Sequence, residues 1–423
     1  MTRQLLADLD WRGSIAQTTD RSELEKFLES GKESVYLGID PTAPSIHLGN
    51  LVAIVVLRRF QLAGHKPIAL VGGATGLVGD PSGRNSERTL NEESVVANWV
   101  DRIRGQLEGL LDFTGKNAAT MANNLDWTAP VSALTFLRDI GKHFSVNQML
   151  AKESVSARLE AGGISYTEFS YQVLQAFDFL ELNRRNNCGL QIGGSDQWGN
   201  IVAGVDLIRR VTGKSAHALT MPVMTKADGE KFGKTASGAI WLDPKMTTPY
   251  AFFQFFLNSD DRDVEKLLKA FSFKGREELE TLFESLKSNP GAREAHRELA
   301  REVTTLVHGE KECEKAENAA TAFFGQSEIR DLDLATLESA IKELPKTEIV
   351  NSASLPTWVD LITATGVIES KSAARRIIKE GGAYLNNMKI ASEDFAPSVE
   401  DLLHGRYLLL RKGKRELAAV ILK

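Results

Sequence analysis

Three stretches of this 423-residue chain carry residue types at spacings suited to chemistry. The first is Pro41-Thr-Ala-Pro-Ser-Ile-His-Leu-Gly-Asn50. It follows a strand pattern and opens a helix, with Ser45 the expected cap and two prolines that cannot lie deep in the helix. His47 and Asn50 are three apart and share one face of the first turn, while Gly49 leaves room for a ligand between them. Free N–H groups and the positive dipole end favour a phosphate there. A capped helix start with an incidental histidine is the plainer alternative. The second stretch is Lys231-Phe-Gly-Lys-Thr235, in a Gly- and Lys-rich loop from Thr225 to Gly238. Two lysines beside glycines suit a triphosphate, yet only three residues separate Gly229 from Gly233, so the loop is not a P-loop. Taken alone it reads better as a solvated basic loop. The third is Tyr171, Gln175 and Asp178, at i, i+4 and i+7 on a helix that otherwise carries Phe169, Val173, Leu174, Phe177 and Leu180. Polar groups on so apolar a helix need partners, either an internal hydrogen-bond network or a bound molecule. Asp196 and Gln197 follow an apolar strand in a Gly-rich turn, the kind of place where open α/β sheets bind nucleotides.

These groups need a scaffold. Ser34–Ile39, Pro67–Val71 and Gly189–Ile192 read as strands and Leu48–Ala63 as a helix, so residues 35–220 alternate strand and helix patterns. That alternation predicts an α/β fold, a doubly wound, mostly parallel sheet covered by helices. Residues 1–222 form the expected Rossmann-like domain, with 223–247 its signature loop and connection. Residues 248–324 carry helical spacing without strand signals, and 325–354 read as a linker. From 355 to 423 a small α+β module follows, with a helix bearing Lys371, Arg375, Arg376 and Lys379, a Gly381-Gly382 turn and strands ending in Tyr407–Arg411. By itself that helix could be no more than a solvated basic face.

Composition narrows the function classes. The chain is 42% hydrophobic and 25% charged, as in ordinary globular proteins. Cys188 and Cys313 are isolated, which excludes a disulfide framework or a cysteine-paired zinc site. No protein-held metal is expected. Leu51–Leu57, the longest aliphatic run, is too short to cross a bilayer, and the first ten residues lack the apolar core of a secretory signal. A cytoplasmic protein is the expectation. The net charge is −5; residues 355–423 hold 11 basic and 8 acidic groups, so a +3 module follows a −8 body. That balance suits a polyanionic partner at the C-terminal end.

Taken together, the His47 and Lys231–Thr235 signatures resemble those of class I aminoacyl-tRNA synthetases. Tyr36-Leu-Gly-Ile-Asp-Pro-Thr-Ala, Val71-Gly-Gly-Ala-Thr-Gly-Leu-Val-Gly-Asp-Pro-Ser-Gly83, Ser170-Tyr-Gln-Val-Leu-Gln-Ala-Phe-Asp178 and Gln191-Ile-Gly-Gly-Ser-Asp-Gln-Trp-Gly-Asn200 look like the bacterial-type tyrosyl branch. The resemblance runs from about Val35 to the C-terminus. It implies that Tyr171, Gln175 and Asp80 hold the α-ammonium of tyrosine, and that Tyr36 and Asp178 meet the phenolic hydroxyl. It implies that Asp196 holds the ribose of ATP, with Gln197 near the carboxylate and α-phosphate, and that Gly38, Asp40, Gly49 and Gly194 line the same crevice. Thr42 and His47 would face the γ-phosphate end of ATP, with Asn50 offering an N–H donor to a ribose or phosphate oxygen, while Arg84, Arg88, Lys231, Lys234 and Thr235 would close over pyrophosphate. The family's first signature usually ends in His where Asn50 stands here, and Arg84 replaces a common Lys. The C-terminal module resembles the S4 RNA-binding domain, with Lys371, Arg375, Arg376 and Lys379 toward tRNA. The resemblance also implies a homodimer formed through residues 139–155, a stretch that by sequence alone would also permit a core helix.

A tyrosine–tRNA ligase would have the tyrosine carboxylate attack the α-phosphorus of ATP. The nucleophile is already an anion, so no Ser–His–Asp or Cys–His arrangement is needed, and none with a compelling context is found. Mg²⁺ would arrive with ATP, held by phosphates and water. Three rival readings fit the residues less well. A tryptophan enzyme is disfavoured by Tyr36 with Asp178. An NAD-dependent dehydrogenase is disfavoured because Gly73-Ala-Thr-Gly-Leu-Val-Gly79 lacks the dinucleotide spacing. A non-enzymatic RNA-binding protein leaves the ATP-type residues idle.

Overall fold

A strand that is apolar on both faces belongs inside a parallel sheet covered on two sides. Ser34–Ile39 lies in such a place in the computed structural model, which describes residues 2–423 except 32, 83–89, 161, 236–237, 324–328, 343, 351–354 and 414–415. The strands in question are β1 (Gln17–Thr18), β2 (Ser34–Ile39), β3 (Lys66–Val71), β4 (Thr120–Asn123), β5 (Cys188–Gly194) and β6 (His217–Met221). They form one sheet in the order β1-β6-β5-β2-β3-β4, parallel throughout except for the short antiparallel β1–β6 pair. The chain leaves β2 toward β3 and β4, then returns on the other side through β5 and β6. The order therefore reverses between β2 and β5, the crevice where doubly wound sheets hold ligands. Strand β2 has the expected bounds, whereas β3 begins one residue earlier than expected and β5 extends one residue before and two after, because ladder bonds continue past the most apolar positions.

Helices close both faces. Leu48–Leu62 packs on β2, β3 and β5. Tyr36, Ile68 and Leu70 form a core with Phe177, Phe179 and Leu180 of helix Tyr166–Asn186 and with Leu207 and Ile208 of helix Trp198–Thr212. These elements belong to a compact unit of Met1–Met246 with Asp260–Pro290, so helices Asp261–Phe271 and Arg276–Ser288 of the 248–324 stretch fold with the sheet. Buried Arg12 ties them in, donating to the carbonyls of Lys269 at 3.1 Å, Ser272 at 3.0 Å and Lys274 at 2.7 Å. A two-stranded ribbon of β7 (Lys234–Thr235) and β8 (Gly238–Ala239) completes this unit.

The second unit comprises Thr247–Ser259 and Gly291–Lys423. Helices Pro249–Leu257, Glu294–His308, Glu310–Phe323 and Leu334–Lys342 pack together there. Its sheet consists of β9 (Lys346–Ile349), β10 (Ala383–Leu385), β11 (Met388–Lys389), β12 (Tyr407–Lys412) and β13 (Glu416–Leu422), in the order β11-β10-β12-β13-β9. Helices Trp358–Ala364 and Lys371–Lys379 cover one face around Trp358, Ile362, Leu385, Leu410 and Val420. The stretch 325–354, expected as a linker, thus holds a helix with buried Leu337, Ala340 and Ile341, and a strand parallel to β13. Among the described residues no helix is long and apolar enough to cross a membrane.

Candidate active site

A cavity of about 620 Å³ opens at the carboxyl ends of β2 and β5, where the strand order reverses. Tyr36, Gly38, Asp40, Thr42, His47, Gly49, Asn50, Asp80, Tyr171, Gln175, Asp178, Gly194, Asp196, Gln197, Lys231 and Lys234 all line it. Residues more than 190 positions apart thus share one space. Arg84 and Arg88 lie outside the described residues, and so does the side chain of Thr235, whose backbone pairs with Gly238.

The buried end is built on the helix stripe. Asp178 Oδ1 accepts from the Trp127 indole N–H and Oδ2 from the Asn124 side-chain amide, each at 2.9 Å. Burial pushes this carboxyl up to about 7, with Asp40 and Glu181 adding repulsion against the two donors' opposite pull. Tyr36, 1% exposed, offers a hydroxyl with no hydrogen-bond partner among the described residues. Gln175 Oε1 and Gln191 Oε1, also on the cavity wall, are buried and unpartnered. Buried polar atoms cost stability when unpaired, so three in one cavity mark where a ligand's polar groups belong. Burial, with Asp178 nearby, also holds the Tyr36 phenol well above its ordinary range, so it stays protonated.

A hydrogen-bonded chain runs from this end toward the cavity's glycine-rich wall. Asn124 also donates to Thr75 Oγ1 at 2.9 Å, Thr75 donates to Asp40 Oδ1 at 2.6 Å, and Tyr171 donates to Asp40 Oδ2 at 2.6 Å. The Asn124 side-chain oxygen in turn accepts from the Ala74 backbone amide at 2.7 Å. Gly72 is obligatory here, because an added Cβ would strike both Asp40 and Thr75. On the facing turn Gln197 donates to Asp80 Oδ2 at 2.7 Å, and Asn200 donates to Gln197 at 3.2 Å. Burial raises the Asp196 carboxyl above its ordinary value, and the charge of Asp80 adds to this.

The open end is a helix terminus joined to the lysine loop. His47, not Ser45, caps helix Leu48–Leu62, its Nδ1 accepting from the Asn50 amide at 3.3 Å. Ser45 sits too far upstream for that slot and instead accepts from the Asp243 amide and the Gln106 side chain, both at 3.0 Å. Burial lowers the His47 pKa, with the Lys234 ammonium adding to this. The loop is stitched onto this helix start: Ile240 donates to the Gly233 carbonyl and Leu48 to the Ile240 carbonyl, each at 2.9 Å. Gly233 has φ +79°, and a Cβ there would sit 3.1 Å from Leu48 Cβ, so only glycine permits the approach. Lys231 and Lys234 remain exposed at the cavity mouth. Among the described residues no group of three or more His, Cys, Asp or Glu is arranged to hold a metal ion.

Thr75, Asn124, Trp127 and Gln191 are functional candidates that the sequence did not single out. Thr75 and Gln191 lay inside motifs already noted, Gln191 as a lone polar residue in an apolar strand. Asn124 and Trp127 sit in a short irregular helix start with no periodic signal. In the second unit, Lys371, Arg375, Arg376 and Lys379 share one exposed helix as expected, but each meets a carboxylate. Lys371 reaches Asp360 at 2.6 Å, Arg375 and Lys379 reach Glu393 at 3.6 and 3.0 Å, and Arg376 reaches Glu380 at 3.6 Å.

The family model of the tRNA synthetases class I (W and Y) matches residues 29–325, and that of the tyrosine–tRNA ligase SYY-like C-terminal domain matches residues 336–420. The tyrosine–tRNA ligase of Streptomyces avermitilis is 58% identical over 418 residues, 98% of either chain. That of Thermobifida fusca is 54% identical over 430 residues, 99% of either chain. A C-terminally truncated mitochondrial tyrosyl-tRNA synthetase from Aspergillus nidulans superposes with a TM-score of 0.69 at 31% identity, over 76% of this chain and 94% of that one. With family models over both units and relatives more than half identical across nearly their whole lengths, the chain belongs to the class I tRNA synthetases, in their tyrosine–tRNA ligase branch.

Proposed function

We propose that this chain activates L-tyrosine with ATP and transfers it to the 3′ end of tRNA(Tyr). The observation that carries this reading is the unpartnered Tyr36 hydroxyl, buried on the wall of the cavity that also holds Asp178. A phenol entering there donates a hydrogen bond to the Asp178 carboxylate, beside those from Trp127 and Asn124, and accepts from Tyr36, which gives that hydroxyl its missing partner. Phenylalanine leaves the buried Tyr36 hydroxyl without a partner, and a site built for a hydroxyl rejects the analogue lacking it; tyrosyl-tRNA synthetase is itself the standard example of this effect. Asp80, Tyr171 and Gln175 supply two acceptor groups and a hydroxyl suited to an α-ammonium.

In the first step a tyrosine carboxylate oxygen bonds to the α-phosphorus as the bond to the β-phosphate bridge breaks, releasing pyrophosphate and leaving tyrosyl-adenylate. In the second, a terminal ribose hydroxyl of tRNA attacks the tyrosyl carbonyl, AMP leaves, and the hydroxyl proton is released. Nothing need be deprotonated for the first step, so catalysis rests on in-line positioning and on charge stabilisation at the leaving group. Asp196 and Gln197 hold the ribose and the reacting end, Gly38, Gly49 and Gly194 let the nucleotide lie close, and Thr42, His47 and Asn50 receive the phosphates. Lys231, Lys234, Thr235, Arg84 and Arg88 act on pyrophosphate, and Mg²⁺ enters bound to ATP as part of that substrate. Asn50 keeps an N–H donor in the place usually held by histidine.

Lys371, Arg375, Arg376 and Lys379 contribute to tRNA binding, and the acid partners they hold become competitors that RNA phosphates must displace. We assign the working form as a cytoplasmic homodimer: Leu134, Leu137, Val146, Leu150 and Tyr166, all large and exposed, crowd the 133–166 stretch. The test is charging of a tRNA(Tyr) transcript with labelled tyrosine. Label should reach tRNA only with ATP present, and no transfer under any condition would refute the proposal.

A further inference from the structure

The face of the C-terminal sheet opposite its apolar core carries a row of three side chains across three strands. Tyr384 on β10 lies directly opposite Lys389 on β11 and Arg411 on β12, so all three project from one face. Ala383 and Leu385, on either side of Tyr384, point into the core instead. The Arg411 guanidinium stacks 3.9 Å from the centre of the Tyr384 ring. Arg411 is 9% exposed, its Nε is buried without a hydrogen-bond partner, and Nη1 donates to the Gly413 carbonyl at 2.9 Å. Lys389 is exposed, and Tyr384 is partly exposed. Neither Arg411 nor Lys389 meets a carboxylate among the described residues, whereas all four basic residues of helix Lys371–Lys379 do. This row is therefore positive charge without its own counter-ion, arranged around an aromatic ring.

We propose that Tyr384, held by Arg411, stacks an unpaired base of the bound tRNA while Lys389 meets a neighbouring phosphate. Stacking on an aromatic ring backed by a guanidinium is how single-stranded RNA bases are held, and it tolerates any base. The electrostatic share is best supplied by cations that need not first break an internal ion pair. This makes the sheet row, and not the helix alone, a principal contact of the module. The inference rests on tRNA being the partner.

The test uses the full chain and a tRNA(Tyr) transcript, with affinity measured at several salt concentrations. Tyr384→Leu keeps the apolar bulk and should weaken binding about tenfold, the scale of one lost base stack, without changing the salt dependence. Tyr384→Phe should bind as the unaltered chain does. Lys389→Gln should lower the slope of log K against log salt by about 0.7–0.9, one phosphate contact. All three should leave tyrosine-dependent pyrophosphate exchange unchanged. Unaltered affinity in Tyr384→Leu, equal losses in the Leu and Phe variants, or an unchanged slope in Lys389→Gln would overturn the inference while leaving the ligase reading intact. A full chain that binds no tRNA would overturn both.

Discussion

Asp178 concentrates the chemistry of the buried end in a single proton. Burial pushes its carboxyl up to about 7, while a phenol donor requires the carboxylate. Tyrosine binding should therefore release a proton near neutrality, and affinity should fall as pH drops below 7, by up to tenfold per unit. Binding measured between pH 5.5 and 8.5 in buffers of different ionisation enthalpy checks both points; Asp178→Asn should bind weakly with a flat profile. The same shift has a consequence for folding. The native state keeps a proton that the unfolded chain gives up near its ordinary value of 3.8, so this group's contribution to stability is present below about 4 and lost as pH rises through 7. Thermal unfolding of Asp178→Asn against the unaltered chain should show that pH-dependent part disappear. The Tyr171–Gln175–Asp178 stripe was legible because polar residues at helical spacing stand out against Phe and Leu. Asn124 and Trp127, which hold Asp178 in place, were not legible: their segment is too short to show any period, and their partner lies about fifty residues on.

Elements explain why the two class signatures act together. The lysine loop is bonded through Gly233 and Ile240 to the first turn of helix Leu48–Leu62, so displacing one displaces the other. Gly233→Ala forces a side chain into positive φ and against Leu48, and should slow adenylate formation at least tenfold while tyrosine binding is kept. Lys231→Ala and Lys234→Ala should act in the same direction, because charge on pyrophosphate develops only as the bond breaks. Stopped-flow rates beside tyrosine affinities decide this; equal losses in rate and affinity would assign the loop to ground-state binding. The parallel sheet and the helix after β2 were legible from apolar runs and proline placement. The cap at His47 was not, because Ser45 is the better cap by residue type and only the position of the first helical turn separates the two. Strand β9 was hidden as well. It has four residues with exposed positions alternating, follows Pro345, and pairs with β13 some seventy residues later.

At the scale of the whole molecule, activation and RNA recognition are assigned to different parts of the chain. Every residue assigned to activation lies between Tyr36 and Thr235, within the first unit. Because β9 belongs to the C-terminal sheet, a cut near Asn351 would strand it, and the informative truncation ends near Phe323. That shortened chain should still form tyrosyl-adenylate yet charge tRNA poorly, increasingly so as salt rises. Leu137→Glu, placed among the exposed apolar residues of the 133–166 stretch, should shift light-scattering mass from dimer toward monomer. The claim on which all else depends is that the cavity is shaped for a phenol. Amino-acid-dependent exchange of labelled pyrophosphate into ATP, run on the full chain with tyrosine, phenylalanine and tryptophan in parallel, tests it most directly. Exchange with tyrosine alone, the other two staying near background, is the predicted result; comparable exchange with phenylalanine or tryptophan, or none with tyrosine, would contradict it.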